Sequence, residues 1–132
     1  MCYIVDEVQS MKKIFVNHTN HPSARWSAEQ KTAAQVYGEP VDVPFPNVDA
    51  DATPAEVVAL VEENLAKILA HKPAAVLCQG EFNYTFAMVE RLKNLGVTTV
   101  AATSERVVAE EILPDGSARQ ISTFRFVQFR EY

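Results

Sequence analysis

Cysteine is scarce in this 132-residue chain: Cys2 and Cys78 are the only two, one in the first residues and one closing an apolar run. Such a pair is poor material for a disulfide framework or a thiolate metal site. No uninterrupted apolar stretch approaches the roughly 18 residues that suggest a membrane span, and no basic segment followed by a long apolar one opens the sequence. A cytoplasmic protein without membrane attachment is therefore expected. Basic excess is also missing: the formal charge is -5. That balance argues against a surface gripping long nucleic acid by general attraction, yet it leaves room for a small phosphorylated ligand held by a few local donors. The G-x-G-x-x-G and G-x-x-x-x-G-K-[ST] patterns are both absent, so neither a dinucleotide cofactor nor a P-loop is supported, and no cofactor is expected. Internal repeats, charge blocks and low-complexity segments are absent too.

What the chain does have is 48% apolar residues, enough for one substantial core that buries roughly two thirds of the unfolded surface. "MKKIFVN" reads as the start of a single domain, residues 11–132, preceded by a ten-residue N-terminal extension, 1–10. Ile14 to Val16 is apolar throughout, the mark of a strand buried on both faces. "SAEQ" starts a helix near Ser27, where serine and Gln30 satisfy each other's orphan amides, and Gly38 suits its end. "VDVPF" is a strand pushed towards a sheet edge by Pro40 and Pro44. Thr53, Pro54 and Glu56 form a capping box with proline at the first helical position, and Val57, Val58, Val61, Leu65, Ile68 and Leu69 share one face of a helix ending near His71. "AAVLC" is a second apolar strand, followed by the turn "QGEFN" and a helix that Gly96 terminates. "VTTVAA" is a further interior strand ending in "TSER".

Strands alternating with helices at this spacing predict an α/β fold: a Rossmann-like three-layer domain with a mostly parallel sheet. The Asp115–Gly116 turn, followed by an aromatic and β-branched run, adds a C-terminal β-hairpin. Phe124, Phe126 and Phe129 then either pack on the core or form a dimer surface, with the core expected for at least two. Three apolar strands discharge into the polar clusters "NHTNHPS", "QGEFN" and "TSER" at one end of the sheet, where open parallel sheets bind ligands.

Several residues there are able to carry chemistry. Gly80 permits close approach of a phosphate to the amides at the next helix start, or simply makes the turn. Glu81 repels phosphate there but can accept a bond from a ribose hydroxyl. His18 and His21 suit general acid or base work; a metal reading would need a distant third ligand, so no metal centre is expected, and the bland alternative is two polar loop residues. Arg106 offers bidentate contact to a phosphate, against a surface ion pair with Glu105 or Glu110. Trp26 and Arg25 supply a stacking face and a cation, or plain packing.

Together, "NHTNHPSARWSAEQ", "QGEFNYTFAMVERLKNLG", "VAATSERVV" and "DGSARQISTFRFVQFREY" resemble small stand-alone CRISPR-associated proteins related to the CRISPR-associated Rossmann-fold (CARF) sensor domains, some of which are ring nucleases. The likeness spans roughly Met11 to Tyr132. It implies a homodimer that binds a cyclic oligoadenylate across its two-fold axis and linearises it without metal. It places Asn17, Asn20 and Ser23 of the first loop, Gly80 with Glu81, and Thr103, Ser104, Glu105 and Arg106 at the ligand. Bottom-up, a ribose 2'-hydroxyl attacks the adjacent phosphorus and leaves a 2',3'-cyclic phosphate as the 5'-oxygen departs. Glu81 or His18 would orient or deprotonate the hydroxyl, and His21 would protonate the leaving oxygen. The alternatives are a non-catalytic sensor of the same messenger and a small nucleotide or sugar-phosphate enzyme.

Overall fold

The computed structural model describes residues 12–132, so the extension 1–10 and Met11 lie outside the described residues. Ile14–His18 forms β1, with Phe15, Val16, Asn17 and His18 all buried, as an apolar interior strand requires. A short 3-10 turn at Ser23–Arg25 leads into α1, Ala28–Ala34. Ser27 caps α1 as its sequence indicates: the side-chain oxygen accepts the Gln30 amide at 3.1 Å. β2 spans Glu39–Asp42, slightly ahead of the run "VDVPF", and lies at the sheet edge, where proline costs no ladder bond. Val43 and Phe45 follow outside the strand and are buried.

The helix α2, Pro54–Ala70, begins with the full capping box and is capped at its far end by His71. Its buried stripe is Val57, Val61, Asn64 and Ile68. Val58, expected on that stripe, is exposed; Asn64 is buried instead, its side chain donating to the Leu60 carbonyl at 2.9 Å. β3 is Ala75–Cys78 and α3 is Phe82–Asn94, with Gly96 just beyond it at a φ of 78°, a backbone state that favours glycine.

The strand order is β2-β1-β3-β4-β5, with β1 parallel to β2 and β3, and β3 parallel to β4. The sheet has a core on each face. Val16, Val76 and Cys78 pack with Val57, Val61 and Met88 of α2 and α3, whereas Phe15, Leu77 and Val100 pack with Trp26, Ala34 and Phe129. This alternation follows from the two-residue period of a strand, and it decides where each β1 side chain points.

The last expected strand is much longer than "VTTVAA". β4 runs from Thr98 to Ile112 and continues through "TSER", because β5, Ala118–Glu131, pairs with it antiparallel along almost its whole length. The hairpin turns at Gly116, with a φ of 84°. Phe129 is buried and Phe126 packs beside it, while Phe124 is exposed. No helix among the described residues is long and apolar enough to cross a membrane.

Candidate ligand-binding site

β1 lies between β2 and β3, so the chain leaves the carboxyl ends of β1 and β3 towards opposite faces: to α1 on one side and to α3 on the other. Divergence of this kind opens a crevice at the sheet end. A cavity of about 470 Å³ occupies it, a size usual for small-molecule sites. Thr19, Asn20 and His21 contribute from the β1–α1 loop, Gln79 and Gly80 from the β3–α3 turn, and Phe82 from the first position of α3. Trp26, Gln30, Leu77, Ala102 and Ser104 complete the lining, which contains no Asp, Glu, Lys or Arg. A second cavity of about 320 Å³ shares Asn20, His21, Trp26, Gln30 and Ser104, and adds Arg25, Ser27, Phe124 and Phe126.

The polar crowding after β1 has a local cause. Buried Asn17 donates through Nδ2 to the His21 carbonyl at 2.9 Å and to Asp42 Oδ1 at 3.0 Å, and its Oδ1 accepts from the Thr19 hydroxyl at 2.9 Å. Thr19 Oγ1 in turn accepts the His21 amide at 3.1 Å, and the Asp42 carboxylate accepts the Ser23 amide at 3.2 Å. Asn17 and Ser23 thus hold the loop in shape without lining either cavity. Asn20 and His21 line both cavities, and Thr19 lines the larger one.

His18 is placed elsewhere. Its position on β1 turns it to the α2/α3 face, where it is fully buried. Nδ1–H donates to the Val43 carbonyl at 2.6 Å, which leaves Nε2 to accept from the Tyr84 hydroxyl at 2.7 Å. Both ring nitrogens are thereby used within the core. Burial lowers the imidazole pKa, outweighing the Val43 bond that raises it. Cys78 on the same face has its thiol pushed up to about 12 by burial, an inert state.

Glu81 caps α3: its carboxylate accepts the amides of Asn83 at 3.0 Å and Tyr84 at 2.8 Å. The amide donors that a phosphate would use at this helix start already bind an internal anion, so phosphate approach at Gly80 is opposed both by charge and by lost donors. Gly80 has a packing cause instead. A Cβ there would stand 2.4 to 2.7 Å from the Phe45 ring.

A family model matches residues 13–130, nearly the whole chain. The chain belongs to the uncharacterized protein MJ1673 family. No curated protein and no solved structure matches it.

Within this family member, "TSER" does not form a loop beside the cavity. Its four residues lie on β4, and alternation sends them to opposite faces. Ser104 lines both cavities. Thr103 donates to the Gln128 carbonyl at 3.2 Å, Glu105 pairs with Arg125, and Arg106 donates to the Ser122 hydroxyl at 2.5 Å, all outside the cavities. The Arg106 ion pairs considered from sequence, with Glu105 or Glu110, are not formed.

Gln79, Gln30 and Phe82 were not singled out by sequence reasoning. Gln79 donates to the Ala102 carbonyl and accepts the Ala102 amide, both at 3.1 Å, which extends the β3–β4 ladder by a side chain. The polar turn "QGEFN" exposed this glutamine to view, but its partner on the neighbouring strand is a matter of register. Among the described residues no group of three or more His, Cys, Asp or Glu is arranged to hold a metal ion.

Proposed function

We propose that this Rossmann-type domain binds a nucleotide ligand across the two adjoining cavities, with a base in the larger and a phosphate in the smaller. The observation that carries this reading is the contrast between the two linings. The larger cavity is uncharged and sets the amides of Asn20 and Gln30 among the rings of Trp26 and Phe82, with Gln79, bonded to Ala102, forming part of the wall. Amides present both donors and acceptors to a base edge, and aromatic faces stack on any base. The smaller cavity adds Arg25 beside His21, a cation and an imidazole suited to a phosphate. A net charge of -5 fits a small ligand better than a polymer.

Cyclic oligoadenylate, the ligand implied by the resemblance to CARF-related proteins, offers this alternation of base and phosphate. Binding is better supported than cleavage, because His18 and Glu81 are engaged in structural bonds. Cleavage is the second reading, favoured by His21 on both cavities. In that reaction the ribose 2'-hydroxyl releases its proton to solvent as its oxygen forms a bond to phosphorus, the bond to the 5'-oxygen breaks, and His21 protonates the departing oxygen. The nucleophile belongs to the ligand, so turnover would persist in chelator.

Calorimetry with cyclic tri-, tetra- and hexa-adenylate and with AMP tests the reading, with products followed by chromatography. Saturable binding that Arg25→Ala and Gln30→Ala weaken supports it. Absence of binding to all four compounds by the folded protein overturns it. A linear product ending in a 2',3'-cyclic phosphate, lost in His21→Ala, would convert the binding reading into the ring-nuclease one.

A further inference from the structure

Beyond Thr103 the β4–β5 hairpin leaves the sheet. From Ser104 to Ile112 on β4 and Ala118 to Arg125 on β5, every residue except the half-buried Glu111 is exposed. Nine strand residues reach roughly 30 Å, and a two-stranded ribbon of that kind is marginal in water unless something covers it.

Its two faces differ in a way that says what covers it. On the α2/α3 side the charges are satisfied internally: Glu105 pairs with Arg125, and Glu111 with Arg119 at 2.7 Å. Between those pairs lie the paired residues Val107 and Thr123, then Ala109 and Ile121. The opposite face, continuous with Phe126 and Phe129, is unfinished. Phe124 is 76% exposed, Ile112 72% and Val108 52%. Arg106 and Glu110 stand on this face and, among the described residues, neither has an ion-pair partner. Four residues apart on a strand, they are separated by about 13 Å and cannot pair with each other.

We propose that this face is the interface of a two-fold homodimer in which two hairpins pack face to face about Val108 and Ser122, with their tips pointing in opposite directions. The observed register places Arg106 with Phe124, Val108 with Ser122, Glu110 with Gln120 and Ile112 with Ala118. A two-fold axis crossing the strands at Val108 therefore sets each Arg106 over the partner's Glu110, and each Phe126 over the partner's small Ala118. Charge meets opposite charge, and bulk meets space. Other arrangements of two hairpins match less well. An axis along the strands sets Arg106 against the partner's Phe124. Edge-to-edge pairing of β4 about Val108 also sets Arg106 opposite the partner's Glu110, but it sets Glu105 opposite the partner's Glu111 and leaves the face of Phe124, Val108 and Ile112 uncovered; the same pairing of β5 about Ser122 sets Arg119 opposite the partner's Arg125.

The arrangement also reaches the site. Ser104, Phe124 and Phe126 line the smaller cavity, and the partner's tip, near Ile112 and Ala118, lies over Ser104 and Phe126. Each copy would then roof the other's smaller cavity. The dimer itself does not depend on the identity of the ligand.

Light scattering and sedimentation equilibrium on the full chain test this, with circular dichroism and a thermal melt to establish folding. The expected mass is twice the 14.7 kDa chain. Arg106→Glu and Glu110→Arg each place like charges across the axis twice, and each should weaken dimerisation about tenfold or more. The double variant Arg106→Glu/Glu110→Arg should recover it. A folded wild-type monomer at 100 μM, as an order-of-magnitude ceiling for a specific dimer, overturns the proposal. So does a dimer indifferent to both single reversals, or one weakened by each but not restored by the double variant.

Discussion

Removing a single oxygen atom distinguishes a structural His18 from a reactive one. In Tyr84→Phe the ring keeps its place against His18 and Phe45, at centroid distances of 5.6 and 4.7 Å, so packing is conserved. The only loss is the hydroxyl that donates to His18 Nε2 at 2.7 Å. Nδ1–H is held by the Val43 carbonyl, so the ring cannot turn the orphaned nitrogen to another donor without breaking that bond. A buried acceptor left without a partner costs about 1 to 3 kcal/mol. Urea denaturation at pH 7 and above should show this loss with an unchanged slope.

The pH dependence supplies a second readout. Burial lowers the folded-state pKa of His18 below the ordinary imidazole value of about 6.5. Between the folded and unfolded pKa values the unfolded chain binds more protons, so stability rises with pH through that window. The His18 contribution is complete above the unfolded value near 6.5 and falls away as pH drops below it. In His18→Gln that part of the acid-side slope should disappear. A Tyr84→Phe variant as stable as wild type, together with loss of ligand binding, would refute the structural assignment and return His18 to the site.

Gly80→Ala should destabilise by about 1 to 3 kcal/mol through the clash with the Phe45 ring, and Phe45→Leu in the same chain should recover part of the loss in thermal melts. If Gly80→Ala instead leaves stability intact and abolishes binding, glycine serves the ligand. Glu81→Ala should cost about 1 kcal/mol by uncapping α3, measured by denaturant titration, with ligand affinity changed little. Gln79→Ala removes two bonds to Ala102 and a cavity wall, so calorimetry should show weaker binding and hydrogen exchange should show faster exchange of the Ala102 amide. An unchanged Ala102 exchange rate would contradict the ladder-extending role.

The sequence by itself determined the local elements, because their causes lie within a few residues of one another. The Thr53–Glu56 capping box, the Ser27 cap, Gly96 beyond α3 and the Asp115–Gly116 turn are short-range bonds and backbone states that neighbouring residues decide. The apolar runs of β1 and β3 declared interior strands for the same reason, and their alternation with helices implied a mostly parallel sheet. Tertiary structure decided which polar residues meet. Parity along β1 sends His18 into the core on one face and Asn17 to the loop scaffold on the other, although both belong to one polar cluster in the sequence. Glu81 looks available until α3 uses its carboxylate as a cap. "TSER" looks like a loop until β5 pairs with it and carries Arg106 out along the hairpin. Gln79 joins Ala102, twenty-three residues away, only because β3 and β4 are neighbours. Each of these outcomes depends on which strand lies beside which and which face a side chain takes, quantities fixed by long-range packing rather than by local preference.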